Sequence, residues 1–247
     1  MKTFSITDTG MKRKMNQDYV YTCEKPVGNL PNLFIVADGM GGHNAGEYAS
    51  RYAVETMIEE ITNDTSTDPI AIIEHAIHRA NDRLVERSKE DVHLLGMGTT
   101  MVVLTIMGQY LCVANVGDSR LYVMNTEIQQ ITKDHSLVEE MVRMGELDKV
   151  TAKIHPDRNI ITRAIGVTND VRVDFFEVKL EEQDQILMCS DGLTNMVDDD
   201  DIRKIIHGQR DIVEKAEKLV EKANDSGGSD NITVIVIEPF SGEVKTC

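Results

Sequence analysis

The sequence predicts an α+β fold, in which helices and strands are gathered in blocks. Two observations carry this reading. Apolar residues recur at spacings of three and four over 45–62 and again over 68–85, marking two successive helices. From Gly98 the period switches to two, and four short strand-like runs follow one another before the next helix. A doubly wound parallel sheet would instead require strand and helix to alternate throughout.

Taken in order, the first strands are 3–8 and 19–23, on either side of the basic segment Lys12-Arg13-Lys14. Phe34-Ile35-Val36-Ala37 is a buried strand that is expected to end at Asp38 in a tight turn containing Gly39, Gly41 and Gly42. The helix over 45–62 turns Ala49, Tyr52, Ala53, Met57, Ile58 and Ile61 inward and Glu55, Glu59 and Glu60 outward. In the next helix Asp68 is the expected N-cap and Pro69 the first helical residue, where a missing N–H removes no bond. The runs 99–107, 110–116, 120–125 and 127–132, with turns at Gly108-Gln109, Gly117-Asp118 and Thr126, are expected to form an antiparallel meander. A short helix at 136–144 is followed by a polar, irregular stretch at 145–158. Strands at 172–178 and 185–190, helices at 199–207 and 211–223, and a strand at 231–237 complete the chain.

Four carboxylates punctuate these elements beside glycine or serine: Asp38, Asp118, Asp191 and Asp230. One Asp-Gly pair alone is an ordinary hairpin signal. Four acidic strand ends together offer the oxygen donors that hard divalent cations prefer, with glycine leaving backbone carbonyls free alongside.

The motifs Arg13-Lys14-Met15-Asn16-Gln17-Asp18, Asp38-Gly39-Met40-Gly41-Gly42-His43, Gly98-Thr99-Thr100 and Asn115-Val116-Gly117-Asp118-Ser119-Arg120 occur in that order. After them come Thr132-Lys133-Asp134-His135-Ser136, His155-Pro156, Thr162-Arg163-Ala164-Ile165-Gly166, Ser190-Asp191-Gly192-Leu193 and Asp230-Asn231-Ile232-Thr233. The series resembles the metal-dependent protein phosphatases, the PPM or type 2C serine/threonine phosphatases, over nearly the whole chain from about Phe4 to Ile237. It is most similar to their compact bacterial members. The resemblance implies two stacked antiparallel sheets with helices on both outer faces, an αββα sandwich, and hydrolysis by a water acidified between two divalent ions, Mn²⁺ or Mg²⁺. It implies Asp38 as the carboxylate bridging both ions, the Gly39 carbonyl, Asp191 and Asp230 as further ligands, and Asp118 near a third, weaker ion. Arg13 would hold the substrate phosphoryl group and Asp18 would hydrogen-bond metal-bound water. Residues 145–158 would form a flap beside the site. Gln17 stands where some relatives have Glu, and Met40 stands where many eukaryotic members place a histidine able to protonate the leaving group.

The implied substrates are phosphoproteins, opposed by a cognate Ser/Thr kinase. A phosphatase of small phosphate esters, or a non-catalytic phosphoprotein-binding scaffold, would use much of the same sequence. A cysteine phosphatase would not, because no arginine stands six positions after Cys23, Cys112, Cys189 or Cys247. Those scattered cysteines read as small core residues rather than a disulfide framework or zinc site.

With 247 residues and no Pro/Gly/Ser-rich linker, one domain over 1–247 is expected, as a monomer. A formal net charge of −16 argues against nucleic acid and anionic membranes as partners. No run of roughly 18 apolar residues appears and the N-terminus lacks an apolar signal core, so a cytoplasmic protein without membrane insertion is expected. His75, His78 and His93 lack acidic or cysteine partners at ligand spacing and read as structural or exposed, and His155 reads as a loop histidine.

Overall fold

The runs that read as unbroken apolar strands have a hydrophobic core on each side. The computed structural model describes residues 1–42 and 44–241; His43 of the glycine motif and Cys247 lie outside them. In β3 (Leu33–Met40), Phe34 and Val36 enter one cluster while Ile35 and Ala37 enter another. Strands β10 (Gln185–Cys189) and β11 (Ile232–Glu238) divide their side chains in the same way. A strand buried on both faces has no polar side to alternate with, so its sequence is continuously apolar.

One five-stranded sheet is ordered β1 (Lys2–Asp8), β11, β10, β7 (Arg120–Met124), β8 (Ile128–Gln130). The other is ordered β2 (Asp18–Cys23), β3, β5 (Met101–Met107), β6 (Tyr110–Val116), β9 (Asp174–Lys179), with the two-residue β4 (Gly98–Thr99) also paired to β3. All of these pairings are antiparallel. Phe34, Val36, Val102 and Leu104 of the second sheet pack on Leu121, Ile186, Met188 and Ile235 of the first, which makes the inner layer. Helices α1 (Ala45–Asn63) and α2 (Pro69–Glu90) cover one outer face through Ala49, Met57, Ile73 and Ile77. Among the helices that follow, α3 (Leu137–Met144) precedes the stretch 145–158 and α4 (Lys149–Ile154) lies within it. The other outer face is covered by α5 (Asp191–Thr194), α6 (Asp199–Ile206) and α7 (Ile212–Asp225) through Leu193, Ile202, Leu219 and Ala223. The predicted αββα sandwich is therefore the observed one. The Asp68 carboxylate caps α2 by accepting the Ile70 N–H at 3.1 Å, with Pro69 at the first position.

Four local expectations need correction. Strand β3 does not end at Asp38 but runs on to Met40, because Gly39 and Met40 pair with Thr99 and Gly98. Gly39 is required there for space: a Cβ would lie 2.0 Å from the Gly46 carbonyl oxygen, where the start of α1 crosses the strand. Gly117-Asp118 is not a hairpin turn in a single meander. β6 and β7 belong to different sheets, and this segment carries the chain between them. The run 99–107 is broken at Thr100, whose N–H turns to the Asp38 carbonyl at 2.8 Å. Finally, the stretch 145–158 contains a helix, since Asp148 caps α4 by accepting the N–H groups of Val150 at 2.9 Å and Thr151 at 3.0 Å.

Candidate metal centre

The five aspartates singled out by the sequence are brought to one end of the sandwich by different elements. Asp18 and Asp38 are directly opposed on β2 and β3. Asp118 lies on the crossover between the sheets, Asp191 opens α5 just after β10, and Asp230 stands just before β11. Asp38 is on the same side of β3 as Phe34 and Val36, so its carboxylate enters the slot between the sheets where the apolar layer ends.

Asp18 is tied across that slot. Its Oδ2 accepts the Ser190 hydroxyl at 2.7 Å and the Thr233 hydroxyl at 2.7 Å, both from the opposite sheet. Its Oδ1 is buried with no partner among the described residues, and so is Oδ1 of Asp191. The other Asp191 oxygen accepts the Asn195 amide at 2.8 Å. Backbone contacts hold the strand end: the Asp38 N–H donates to Thr100 Oγ1 at 3.1 Å, and Thr99 Oγ1 donates to the Asp38 carbonyl at 2.9 Å.

The electrostatics follow from this crowding. Burial first, then the charges of Asp18, Asp191, Asp118 and Asp230, pushes the Asp38 carboxyl well above the usual carboxylate range. Burial raises Asp18 to about 7 against the pull of its two hydroxyl donors, and raises Asp191 to about 6 with help from Asp230. Asp118, only 8% exposed, is likewise held well up by burial and by Asp191 and Asp134. Two orphaned buried carboxylate oxygens amid like charges form a donor set that a hard divalent cation satisfies and that no apolar packing could.

Among the described residues, no three Asp, Glu, His or Cys side chains already close on one point as a finished cage. Asp230 is drawn aside instead: its Oδ2 pairs with Arg13 Nη2 at 2.7 Å, and Arg13 remains half exposed. The structure thus joins two residues for which the sequence implied separate partners, a phosphoryl group for Arg13 and a metal for Asp230. Opposite charges at that distance attract strongly.

Several supporting residues carry no role that spacing alone could reveal. Asn231 accepts the Gln17 N–H at 2.8 Å and donates to the Thr9 and Met15 carbonyls at 2.9 Å each, pinning both flanks of the loop that presents Arg13. The Gln17 carbonyl accepts the Gly39 N–H at 3.1 Å and the Ser50 hydroxyl at 2.6 Å, so the backbone of Gln17 links β3 to α1. Arg120 holds Asp134, with its guanidinium 2.7 Å from the carboxylate. His155 Nδ1 accepts the Asp157 N–H at 3.2 Å, consistent with a loop histidine. His135 is buried, and burial lowers its pKa. Cys112 and Cys189 are free buried thiols, pushed by burial to about 11 and about 12. Beside the aspartates lies a cleft of about 620 Å³, lined by Asp118, Asp191, Asn195, Glu139, Val142 and Arg158 among others.

A two-sheet sandwich with carboxylates gathered at one end of its central slot is the architecture of a metal-dependent phosphatase. The family model for protein phosphatase 2C matches residues 11–228, and the chain belongs to that family. It is 42% identical over 237 residues to the "Serine/threonine phosphatase stp" of Listeria monocytogenes, covering 94% of this chain and 93% of the relative. The fold is similar to the serine/threonine phosphatase Stp1 of Staphylococcus aureus, with a TM-score of 0.89, 34% identity and coverage of 95% and 93% of the two chains. It is also similar to the catalytic domain of the serine threonine protein phosphatase PstP solved with two manganese ions, at a TM-score of 0.83, 31% identity and coverage of 95% and 96%.

Proposed function

We infer that this protein is a single-domain protein serine/threonine phosphatase that hydrolyses phosphoserine and phosphothreonine on protein substrates. The observation that carries the reading is the set of uncompensated carboxylates between the sheets, in a chain of the protein phosphatase 2C family. Asp38, the Gly39 carbonyl, Asp191 and Asp230 would hold two divalent ions, Mn²⁺ or Mg²⁺, and Asp118 would serve a third, weaker position. Bound divalent cations supply positive charge for the phosphoryl oxygens and acidify a water to act as nucleophile.

The chain's own groups do the positioning. Arg13 offers a planar fork that matches two phosphoryl oxygens, and binding substrate would draw it from Asp230. Asp18, fixed by Ser190 and Thr233, keeps Oδ1 free to accept a hydrogen bond from solvent in the site. Met40 cannot donate a proton to the leaving alkoxide. The cleft between Asp191 and the flap gives a phosphorylated segment room to lie beside the centre. A cytoplasmic monomer working in signalling against a Ser/Thr kinase completes the reading. Among the described residues no helix is long and apolar enough to cross a membrane.

Phosphate release from a phosphothreonine peptide, measured with Mn²⁺, with Mg²⁺ and after chelation by EDTA, tests this directly. Turnover is expected with metal and is expected to vanish with chelator. A strong preference for sugar or nucleotide phosphates over the peptide would replace the reading with a small-ester phosphatase, and metal binding without turnover would favour the scaffold. The same assay checks Arg13: Arg13→Ala is expected to raise KM roughly 10- to 100-fold, the equivalent of about 1.5–3 kcal/mol for hydrogen bonds to a charged group. An unchanged KM would remove Arg13 from the phosphoryl site.

A further inference from the structure

We infer that His135 is a positioning residue for Asp118, gripping the backbone of Gly117 from both sides and so fixing where the next carboxylate stands. The inference rests on the reading of Asp118 as the weaker cation position. Gly117 turns the chain from one sheet to the other with φ 110°, and a Cβ there would lie 2.5 Å from the Cβ of Thr100. Its N–H donates to His135 Nδ1 at 3.0 Å, and its carbonyl accepts the His135 N–H at 2.9 Å.

The imidazole is oriented from behind. Because Nδ1 accepts, the proton of the neutral ring is on Nε2, which lies 3.2 Å from Asp174 Oδ2. Arg163 Nη1 donates to the other Asp174 oxygen at 2.8 Å and stands 3.2 Å from Nε2. Two donors do not bond each other, so both converge on the Asp174 carboxylate. At 5% exposure the ring has no room to find other partners.

The rest of the crossover is held by separate contacts. Asn115 Nδ2 donates to the Gly117 carbonyl at 3.2 Å and to the Lys133 carbonyl at 3.0 Å. The Ser119 and Thr100 hydroxyls pair at 2.8 Å, and the Arg120 fork grips Asp134 at 2.7 Å. The segment 132–135 therefore runs alongside 115–121 as a brace. Through the Thr162 N–H, which donates to the His135 carbonyl at 2.8 Å, the brace also takes in the segment that follows the flap. Outer residues that orient a metal ligand typically change metal affinity or activity about 10- to 100-fold when altered.

Mn²⁺ titration of the full-length protein, followed by calorimetry and by the thermal midpoint, tests this alongside kcat and KM. The variants are Asp118→Ala, His135→Gln, His135→Asn and the double variant Asp118→Ala with His135→Gln. The Gln amide reaches toward Asp174 but offers Gly117 no acceptor, whereas the Asn Oδ1 takes the place of Nδ1. His135→Gln is expected to weaken the low-affinity Mn²⁺ phase about 10- to 100-fold, as Asp118→Ala does, with tight binding and KM retained. The double variant should be no worse than Asp118→Ala alone, and His135→Asn should keep the low-affinity phase. Additive losses in the double variant, or equal losses with Asn and Gln, overturn the inference and leave the role of Asp118 standing. An unaltered low-affinity phase in Asp118→Ala overturns both together. Should His135→Gln fail to fold, His135→Asn decides: a retained low-affinity phase supports the inference and a lost one overturns it.

Discussion

Asp38→Asn is expected to abolish turnover while making the metal-free protein more resistant to heat. The two effects have one cause. Asp38 sits among Asp18, Asp191, Asp118 and Asp230, and burial with their repulsion lifts its pKa well above the ordinary value. A carboxyl whose folded pKa exceeds its unfolded value withdraws stability as pH climbs from the unfolded value toward the folded one. An amide carries no such penalty, so near pH 8 the metal-free variant should melt at a higher temperature, each gain of about 1 kcal/mol reading as about 2–4 °C in Tm for a chain of this size. The same change removes the charge proposed to be shared by both ions. Loss of several kcal/mol of transition-state stabilisation lowers kcat by roughly 10³-fold or more. Peptide dephosphorylation and metal-free thermal melts check the two halves separately. Near-normal turnover would remove Asp38 from the bridging role, and a lower metal-free Tm would show that its charge is not under strain.

Divalent cation is expected to raise Tm by an amount that grows with pH. Protons and cations compete for the charge of this site: burial holds the proposed ligand Asp191 at about 6, and the neighbouring Asp18 at about 7, rather than at 3.8. Between pH 4 and 7 the folded, metal-free protein therefore holds protons that the unfolded chain has lost, and its stability falls as pH rises through that window. Metal binding reverses the loss because it favours the charged forms. At a free concentration of about 100 times Kd the gain is about 2.7 kcal/mol, or roughly 5–11 °C, at pH 7.5, shrinking toward pH 6.5. His135, whose burial favours the neutral ring, adds a destabilisation of its own below about pH 6.5, so the increment is compared above that value. Paired melts with Mn²⁺ and with EDTA across this range give the increment. An increment that is flat or that falls with rising pH would mean that the ion is not bound among these carboxylates.

The sequence by itself determined the longer helices and strands, the Asp68 helix cap and the order of the acidic strand ends, and missed the short helices α4 and α5. Those signals are local: the period of apolar residues is set by one segment's own geometry, and an N-cap such as Asp68 acts within two residues of itself. The resemblance carried by the family motifs added the sandwich, and it supplied the ligand set proposed above. What only the tertiary structure decided lies between segments distant in sequence. Nothing near Asp38 announces that β3 continues to Met40, since Gly98 and Thr99 supply the pairing. Gly117-Asp118 has the chemistry of a hairpin, and it becomes a crossover because the two strands it joins find partners in different sheets. Asp18 depends on Ser190 and Thr233, Arg13 closes on Asp230, and the grip of His135 on Gly117 spans the chain from one motif to another. Hydrogen bonds and charge repulsion act at a few ångströms in space regardless of distance along the chain, so these contacts, and the charges they leave uncompensated, come into being only when the two sheets meet.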